Sequence, residues 1–374
     1  MIGWKRVKKD YYSGRRKVPA MKKALKIIGI VLAAILVIVV GYLAYVFISY
    51  HRIGNQQINV NGTAQAAIET GTEYKIVSYN IGFGAYEDDF GFFMDGGDRA
   101  WAWSKKRLDK NLGNIAQLLA EQKADLYLVQ EVDIDSTRSY HFDERKYLIP
   151  ALDGYAYTFA QNYDSPFLFY PITQPHGIAK SGLLTFSSAP ILSAERVELP
   201  IESGLTKFLD LDRCYSKNRI PLSDGKELVL YNLHLSAYTS DGKIATEQLK
   251  LLLADMQEEF EKGGYCIAGG DFNKDLLGDS SKYFGKADKE YTWAQPIPEG
   301  TFDGFNVRLV APIDEAKPVA SCRNADGAYH PGQYTLTVDG FMVTDNVEVI
   351  RADVIDVAFR YSDHNPVEML FKLN

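Results

Sequence analysis

The chain has 374 residues, 46% of them hydrophobic and 24% charged, a balance that excludes a disordered or fibrous protein. Residues 1–69 hold 11 of the 41 Lys/Arg and only 2 of the 48 Asp/Glu, which leaves 30 basic and 46 acidic residues, a net of −16, in the rest. So acidic a body is a poor electrostatic partner for a polyanion and disfavours tight non-specific nucleic-acid binding.

Ile27 to Ile48 carries no charge and is rich in Ile, Val, Leu and Ala. At 1.5 Å per residue such a run spans a bilayer core of about 30 Å. Ten Lys/Arg precede it and only Arg52 follows closely, so the positive-inside rule puts the amino terminus in the cytoplasm. A cleaved signal peptide would be shorter and would end in small residues, whereas this run ends in Tyr45-Val46-Phe47-Ile48. The expected organisation is a basic cytoplasmic tail over 1–26, a transmembrane helix over 27–48, a polar linker over 49–73 and an external body over 74–374. That makes it a single-pass cell-membrane protein, with the membrane as a partner through residues 27–48. No protein partner is inferable.

Within the body, Lys75 to Ile81 reads as a strand that finishes on Asn80. A Gly- and Phe-rich loop follows, with acids at Glu87, Asp88, Asp89 and Asp95 that would repel a long polyanion. Ser104 is a candidate N-cap for a helix whose apolar stripe is Leu108, Leu112, Ile115 and Leu119. Asp125 to Glu131 is a second buried strand. A strand–helix–strand unit of this length predicts a parallel pair, with Asn80 and Glu131 at the same end of the sheet.

Further strand-like runs cover 181–187, 190–199 and 227–235. The last alternates Asn232 and His234 on one face. A helix over 242–262 leads into Tyr265-Cys266-Ile267-Ala268, a short run typical of a strand buried on both faces. Gly269-Gly270 then permits a sharp turn and delivers Asp271 and Asn273. Thr335 to Val343 carries Asp339 inside an apolar run, and Asp363-His364 precede a last strand, Val367 to Phe371.

Six strand ends thus present Asn80, Glu131, Asn232/His234, Asp271/Asn273, Asp339 and Asp363/His364. A lone strand-end Asp or Asn usually caps a turn, but six together call for another reason. The set is all oxygen donors and imidazoles, which favours a hard cation (Mg²⁺, Mn²⁺ or Ca²⁺) over zinc. Two histidines near carboxylates suit acid–base work or charge stabilisation. The other histidines, His51, His141, His176 and His330, sit in no motif and read as surface or loop residues. The aromatic stretch Pro166 to Pro171 reads as a packed loop, with a substrate wall or an insertion into the outer leaflet as rival readings. Cys266 reads as a buried small hydrophobe. Cys214 and Cys322 could pair outside the cell.

The ordered set Ser78-Tyr79-Asn80-Ile81, Gln130-Glu131, Asn232-Leu233-His234, Gly270-Asp271-Phe272-Asn273, Val338-Asp339-Gly340 and Ser362-Asp363-His364-Asn365-Pro366-Val367 resembles the endonuclease/exonuclease/phosphatase superfamily, over roughly residues 74–374. It departs from that pattern at Gly340, where the family often has Arg, and at Asp133, where DNase I-like nucleases carry Arg. The resemblance implies an α/β fold, a four-layer sandwich of two packed β-sheets flanked by helices. It also implies roles. Glu131, Asn80 and Asp363 would hold Mg²⁺ (or Mn²⁺ or Ca²⁺), and Asp271 would orient or deprotonate the attacking water. His234, and His364 paired with Asp339, would stabilise phosphate charge; Asn273 and Asn232 would contact substrate. The expected protein is a membrane-tethered, metal-dependent phosphodiesterase or phosphatase for a small or lipid-linked phosphate. The alternatives are an extracellular DNase I-like nuclease and an inactive binding module on the same scaffold.

Overall fold

A computed structural model of the chain describes residues 18–201, 211–237 and 243–374. It divides into two units, residues 1–50 and 51–374. The first contains helix α1, Val18–Ser49. Among the described residues it is the one helix long and apolar enough to cross a membrane, and its apolar side chains are exposed from Met21 to Leu43. The basic residues Lys5 to Lys17 lie outside the described residues.

The second unit holds two seven-stranded sheets. In chain order its elements are β1 Gln56–Ile58, β2 Val60–Asn61, β3 Glu73–Asn80, α2 Lys105–Gln122, β4 Leu126–Asp133, α3 Arg145–Ala151, β5 Ala156–Leu168 and β6 Gly177–Ser187. There follow β7 Ser193–Glu198, β8 Cys214–Pro221, β9 Glu227–His234, α4 Lys243–Glu261, β10 Tyr265–Asp271, α5 Ser281–Phe284 and β11 Val307–Val310. A short hairpin, β12 Cys322–Arg323 and β13 Thr335–Leu336, precedes β14 Asp339–Thr344, β15 Val347–Val354 and β16 Val367–Leu373. One sheet runs β1-β7-β8-β9-β10-β14-β11 and the other β15-β16-β3-β4-β6-β5-β2.

The expected four layers are present. Between the sheets, Ile76, Leu128 and Phe371 meet Leu230, Ile267 and Phe341 in a dry core. Outside one sheet, Ile115 and Leu119 of α2 cover Val77 and Val129. Outside the other, Leu249, Leu252 and Met256 of α4 cover Tyr231 and Ala268. The sheets approach closely at Gly269, where a Cβ would lie 2.7 Å from Phe341 Cδ1 and 2.8 Å from Leu128 Cδ1.

Both strand–helix–strand units pair as expected: β3 with β4 and β9 with β10 are parallel. Ser104 caps α2 by accepting from Arg107 N at 3.2 Å. One expectation is corrected. The polar stretch 49–73 is no free linker, because β1 and β2 pair with β7 and β5 and Ile68 is 1% exposed. Half-solvated edge strands tolerate the polar composition that reads as a linker. The apolar run 335–343 forms two strands, and Asp339 opens the second of them.

Candidate active site

The expected site residues other than Asn232 reach the same edge of the sandwich. Strands β3, β4, β9 and β10 end there. Strands β14 and β16 run antiparallel to β10 and β3, so residues at or just before their starts arrive at that edge too. Asp271 and Asp339 stand directly opposite each other in the β10–β14 ladder, as do Asp271 and His234 in the β9–β10 ladder. Gly270 makes this possible: its φ is +146° and a Cβ there would lie 2.0 Å from Leu233 O.

A cleft of about 510 Å³ opens at this edge. Glu131, His234, Asp271, Asn273, Asp363 and His364 line it. Asp339 sits behind His364, its Oδ2 2.7 Å from His364 Nδ1 and its Oδ1 without a protein partner among the described residues. On the far side of that imidazole, Nε2 lies 3.8 Å from Asp271 Oδ2. Asp271 Oδ2 also accepts from Asn80 Nδ2 at 3.0 Å and lies 3.5 Å from His234 Nε2. Asn80 therefore sits beneath the floor and ties Asp271 to Glu131, whose Oε1 accepts from the same Nδ2 at 3.2 Å.

Burial sets the electrostatics. Desolvation alone would depress His364, but the Asp339 carboxylate, with Asp363 adding to it, overrides burial and holds the imidazole well above its ordinary value. His234 lies farther from its nearest carboxylate, 3.5 Å from Asp271 Oδ2, and burial followed by the neighbouring Arg213 pushes it well below. Burial raises the Asp271 carboxyl against the pull of His364. Asp363 is pushed up to about 6, first by burial and further by the Glu131 charge.

Two groups could hold a cation. Asp271, Asp339 and His364 bring ligand atoms within 4.8 Å of one another, but their short contact is the Asp339–His364 ion pair. Glu131 and Asp363 are the better fit: hard oxygen donors whose mutual repulsion a cation would relieve. Gly82 leaves room beside them, since a Cβ there would lie 3.1 Å from Asp363 Oδ1. Glu131 is held out of the ladder by a register shift between Val129 and Val132 and takes φ +56°, an uncommon conformation for a side-chain-bearing residue. Asn273, φ +49°, is likewise strained, with its backbone N–H bonded to Asp271 Oδ1 at 2.8 Å. Non-glycine outliers of this kind cluster at functional sites.

Asn232 is not brought to the cleft. It is fully buried beneath the floor, where Oδ1 accepts from Gln130 Nε2 at 2.8 Å and Nδ2 donates to Thr185 Oγ1 at 3.1 Å. It joins the two sheets, so its expected substrate contact is corrected. His176 is corrected as well: it is 6% exposed in the cleft wall, near Tyr163 Oη at 3.4 Å, and burial followed by Arg138 lowers it to about 4. His141 and His330 are exposed as expected. No disulfide forms; all three cysteines are buried thiols, and Cys322 Sγ lies 3.6 Å from His364 Nε2.

Three arginines that line the cleft escaped the sequence reading: Arg138, Arg213 and Arg323. Asp133 grips Arg138 through two hydrogen bonds of 2.8 and 3.0 Å, which sets its Nη2 4.0 Å from Glu131 Oε2. The positive charge absent at position 133 is thereby returned from five residues downstream. No side chain fits at position 340, where a Cβ would lie 2.6 Å from Leu276 Cδ1 and 3.0 Å from Val310 O. Nothing in the local pattern around these arginines signals a site.

The model of the endonuclease/exonuclease/phosphatase family matches residues 77–364. An endonuclease/exonuclease/phosphatase from Beutenbergia cavernae is similar in structure, with a TM-score of 0.54 at 17% identity over 81% of this chain and 72% of that one. ANGEL2, described as a 2′,3′-cyclic phosphatase, gives 0.54 at 17% identity over 85% and 99%. The human Nocturnin catalytic domain, solved with a bound sulfate anion, gives 0.50 at 20% identity over 85% and 98%. No curated protein sequence matches the chain. The family match and the fold agree: this chain belongs to the endonuclease/exonuclease/phosphatase family, whose members are hydrolytic phosphoesterases that generally use divalent metals.

Proposed function

We propose that the chain is a divalent-metal-dependent phosphodiesterase or phosphatase, anchored through α1 with its body outside the cell, that hydrolyses a small or lipid-linked phosphate. The observation that carries this reading is the convergence in one cleft of the Asp339–His364 pair, Asp271, His234 and the Glu131/Asp363 carboxylates. Glu131 and Asp363, steadied by Asn80, would hold Mg²⁺ or Mn²⁺. When bound, the cation supplies Lewis-acid neutralisation of the phosphoryl charge.

The protein's own groups do the rest. Asp271, raised by burial, is suited to orient the attacking water and take its proton. His364, kept protonated by Asp339, would donate to a non-bridging phosphate oxygen as negative charge builds. His234, held neutral, would offer a hydrogen bond without adding charge. Asn273 would bind another phosphate oxygen, and Arg138 would add positive charge at the rim. The water oxygen bonds to phosphorus as the P–O ester bond breaks, and the proton taken up by Asp271 returns through solvent to the leaving oxygen, which departs as an alcohol while the phosphoryl oxygens retain the charge.

The net charge of −16 outside the amino-terminal region disfavours a long polyanionic substrate over a small or membrane-embedded one. The excess of Lys/Arg before α1 supports a cytoplasmic amino terminus. Full-length protein in detergent with Mg²⁺ should hydrolyse bis(p-nitrophenyl) phosphate or a lipid phosphodiester, and H234A or H364A should reduce turnover by on the order of 10²-fold or more. Unchanged turnover in both variants would remove the imidazoles from the reaction. Rapid degradation of plasmid DNA in preference to the small esters would favour the nuclease instead.

A further inference from the structure

One surface is left over by this chemistry. Where β5 turns back to β6 beside the cleft mouth, Phe169 is 55% exposed, Tyr170 69% and Ile172 79%. Met94, 54% exposed, belongs to the loop across the mouth, and the adjoining Phe93 meets Tyr170 at 5.8 Å between ring centroids. Tyr170 and Met94 line the cleft, and Phe169 and Ile172 are not among its lining residues. From Pro166 to Pro175 there is no charged residue. A contiguous exposed apolar lip of this kind calls for a partner.

The chain itself indicates which. The body takes up the chain directly after α1, at His51, and His51 Nε2 lies 3.3 Å from Asp164 Oδ2. Asp164 is on β5, five residues before Phe169, a separation of at most about 17 Å along the strand. His51, the first residue of the body, therefore lies at the same end of it as the lip. Aromatic and aliphatic side chains without charge are suited to the headgroup–acyl boundary.

We propose that the lip formed by Phe169, Tyr170 and Ile172, with Met94, docks on the lipid surface of the bilayer that holds α1, so that the cleft is presented with phosphoesters borne by lipids. This rests on the anchored-phosphoesterase reading and narrows its substrate to the lipid-linked class. The lip contains no basic residue, so docking proceeds by apolar insertion and should depend little on salt or anionic lipid.

The test uses the full chain in phosphatidylcholine vesicles. A nitroxide is attached at I172C, with L251C on the exposed face of α4 as reference; the native cysteines are buried. Oxygen should relax the label at 172 more than a water-soluble nickel chelate does, and the order should reverse at 251. Equal access of the chelate to both positions would overturn the proposal. Independently, F169S/I172S should lower hydrolysis of a vesicle-borne phosphodiester at least tenfold while bis(p-nitrophenyl) phosphate turnover stays within twofold. Retention of both activities would also overturn it. If the unmodified protein hydrolysed neither ester, the phosphoesterase reading would fail, and the label accessibility would still decide the docking.

Discussion

Asn80 and Asp271 come from opposite sheets of the sandwich and are joined by a 3.0 Å hydrogen bond, Nδ2 donating to Oδ2. The same amide nitrogen reaches Glu131, and Asn80 Oδ1 accepts from Gly82 N at 3.0 Å. One carboxamide thus fixes the spacing between the proposed proton acceptor and the proposed metal carboxylate. For N80A we expect turnover to drop by on the order of 10²-fold, with a stability loss of about 1–3 kcal/mol from the unsatisfied buried groups. Parallel rate measurements and urea denaturation would show it; a stability loss with full activity would reduce Asn80 to a sheet clamp.

The Asp339–His364 pair predicts a pH effect. Burial works against the charge on His364, but Asp339, with Asp363 adding to it, keeps the imidazole protonated well above its ordinary range. In D339N the main counterweight to burial is gone, so the imidazole gives up its proton at lower pH than in the parent. Activity that depends on the protonated form should then decline at lower pH in the variant than in the parent protein. A pH–rate profile combined with an NMR titration of His364 reads both; coincident alkaline limbs would refute the pairing.

Metal removal supplies a third test. Chelation should abolish turnover and Mg²⁺ or Mn²⁺ should restore it. A cation at 100 times its Kd stabilises the protein it binds by about 2.7 kcal/mol, which raises Tm. E131Q should lose that thermal shift while remaining folded. A full shift in E131Q would place the cation elsewhere, with the Asp271, Asp339 and His364 group as the next site to test.

His176, in the cleft wall, makes acid sensitivity of folding testable. Its folded-state value, about 4, lies below the unfolded value of about 6.5. Between those limits the unfolded chain binds a proton that the native state refuses, so stability falls as pH drops from 6.5 towards 4 and is unaffected above. The contribution is at most about 3 kcal/mol. Urea midpoints at pH 7 and 4.5 should converge in H176Q relative to the parent, and an unchanged difference would assign the acid sensitivity to other groups.

Much of the site was legible because its residues are anchored by short apolar strands. Tyr265 to Ala268 is buried on both faces, so Asp271 follows at a readable distance, and β3 and β4 deliver Asn80 and Glu131 in the same way. β8 was not legible. Ser216, Lys217 and Asn218 are polar yet buried, and only the fold supplies their partners: Lys217 Nζ meets Asp255 at 2.6 Å and Glu259 at 2.9 Å on α4. Arg138 and His176 were missed for a related reason. They arrive from irregular segments with no periodicity, and their function comes from neighbours such as Asp133 and Tyr163.

The six residues from Gln56 to Asn61 begin on one sheet and finish on the other: β1 lies along β7, and β2 along β5. They act as a selvedge that closes two raw margins at once. A version trimmed to Glu73, where β3 begins, would keep every residue proposed for the reaction. It would also bare the backbone donors and acceptors of β7 and β5, and such exposed borders recruit other chains into aggregates. Soluble preparations should therefore start ahead of Gln56, and clumping of the shorter form would reflect its unprotected margins, with no bearing on catalysis.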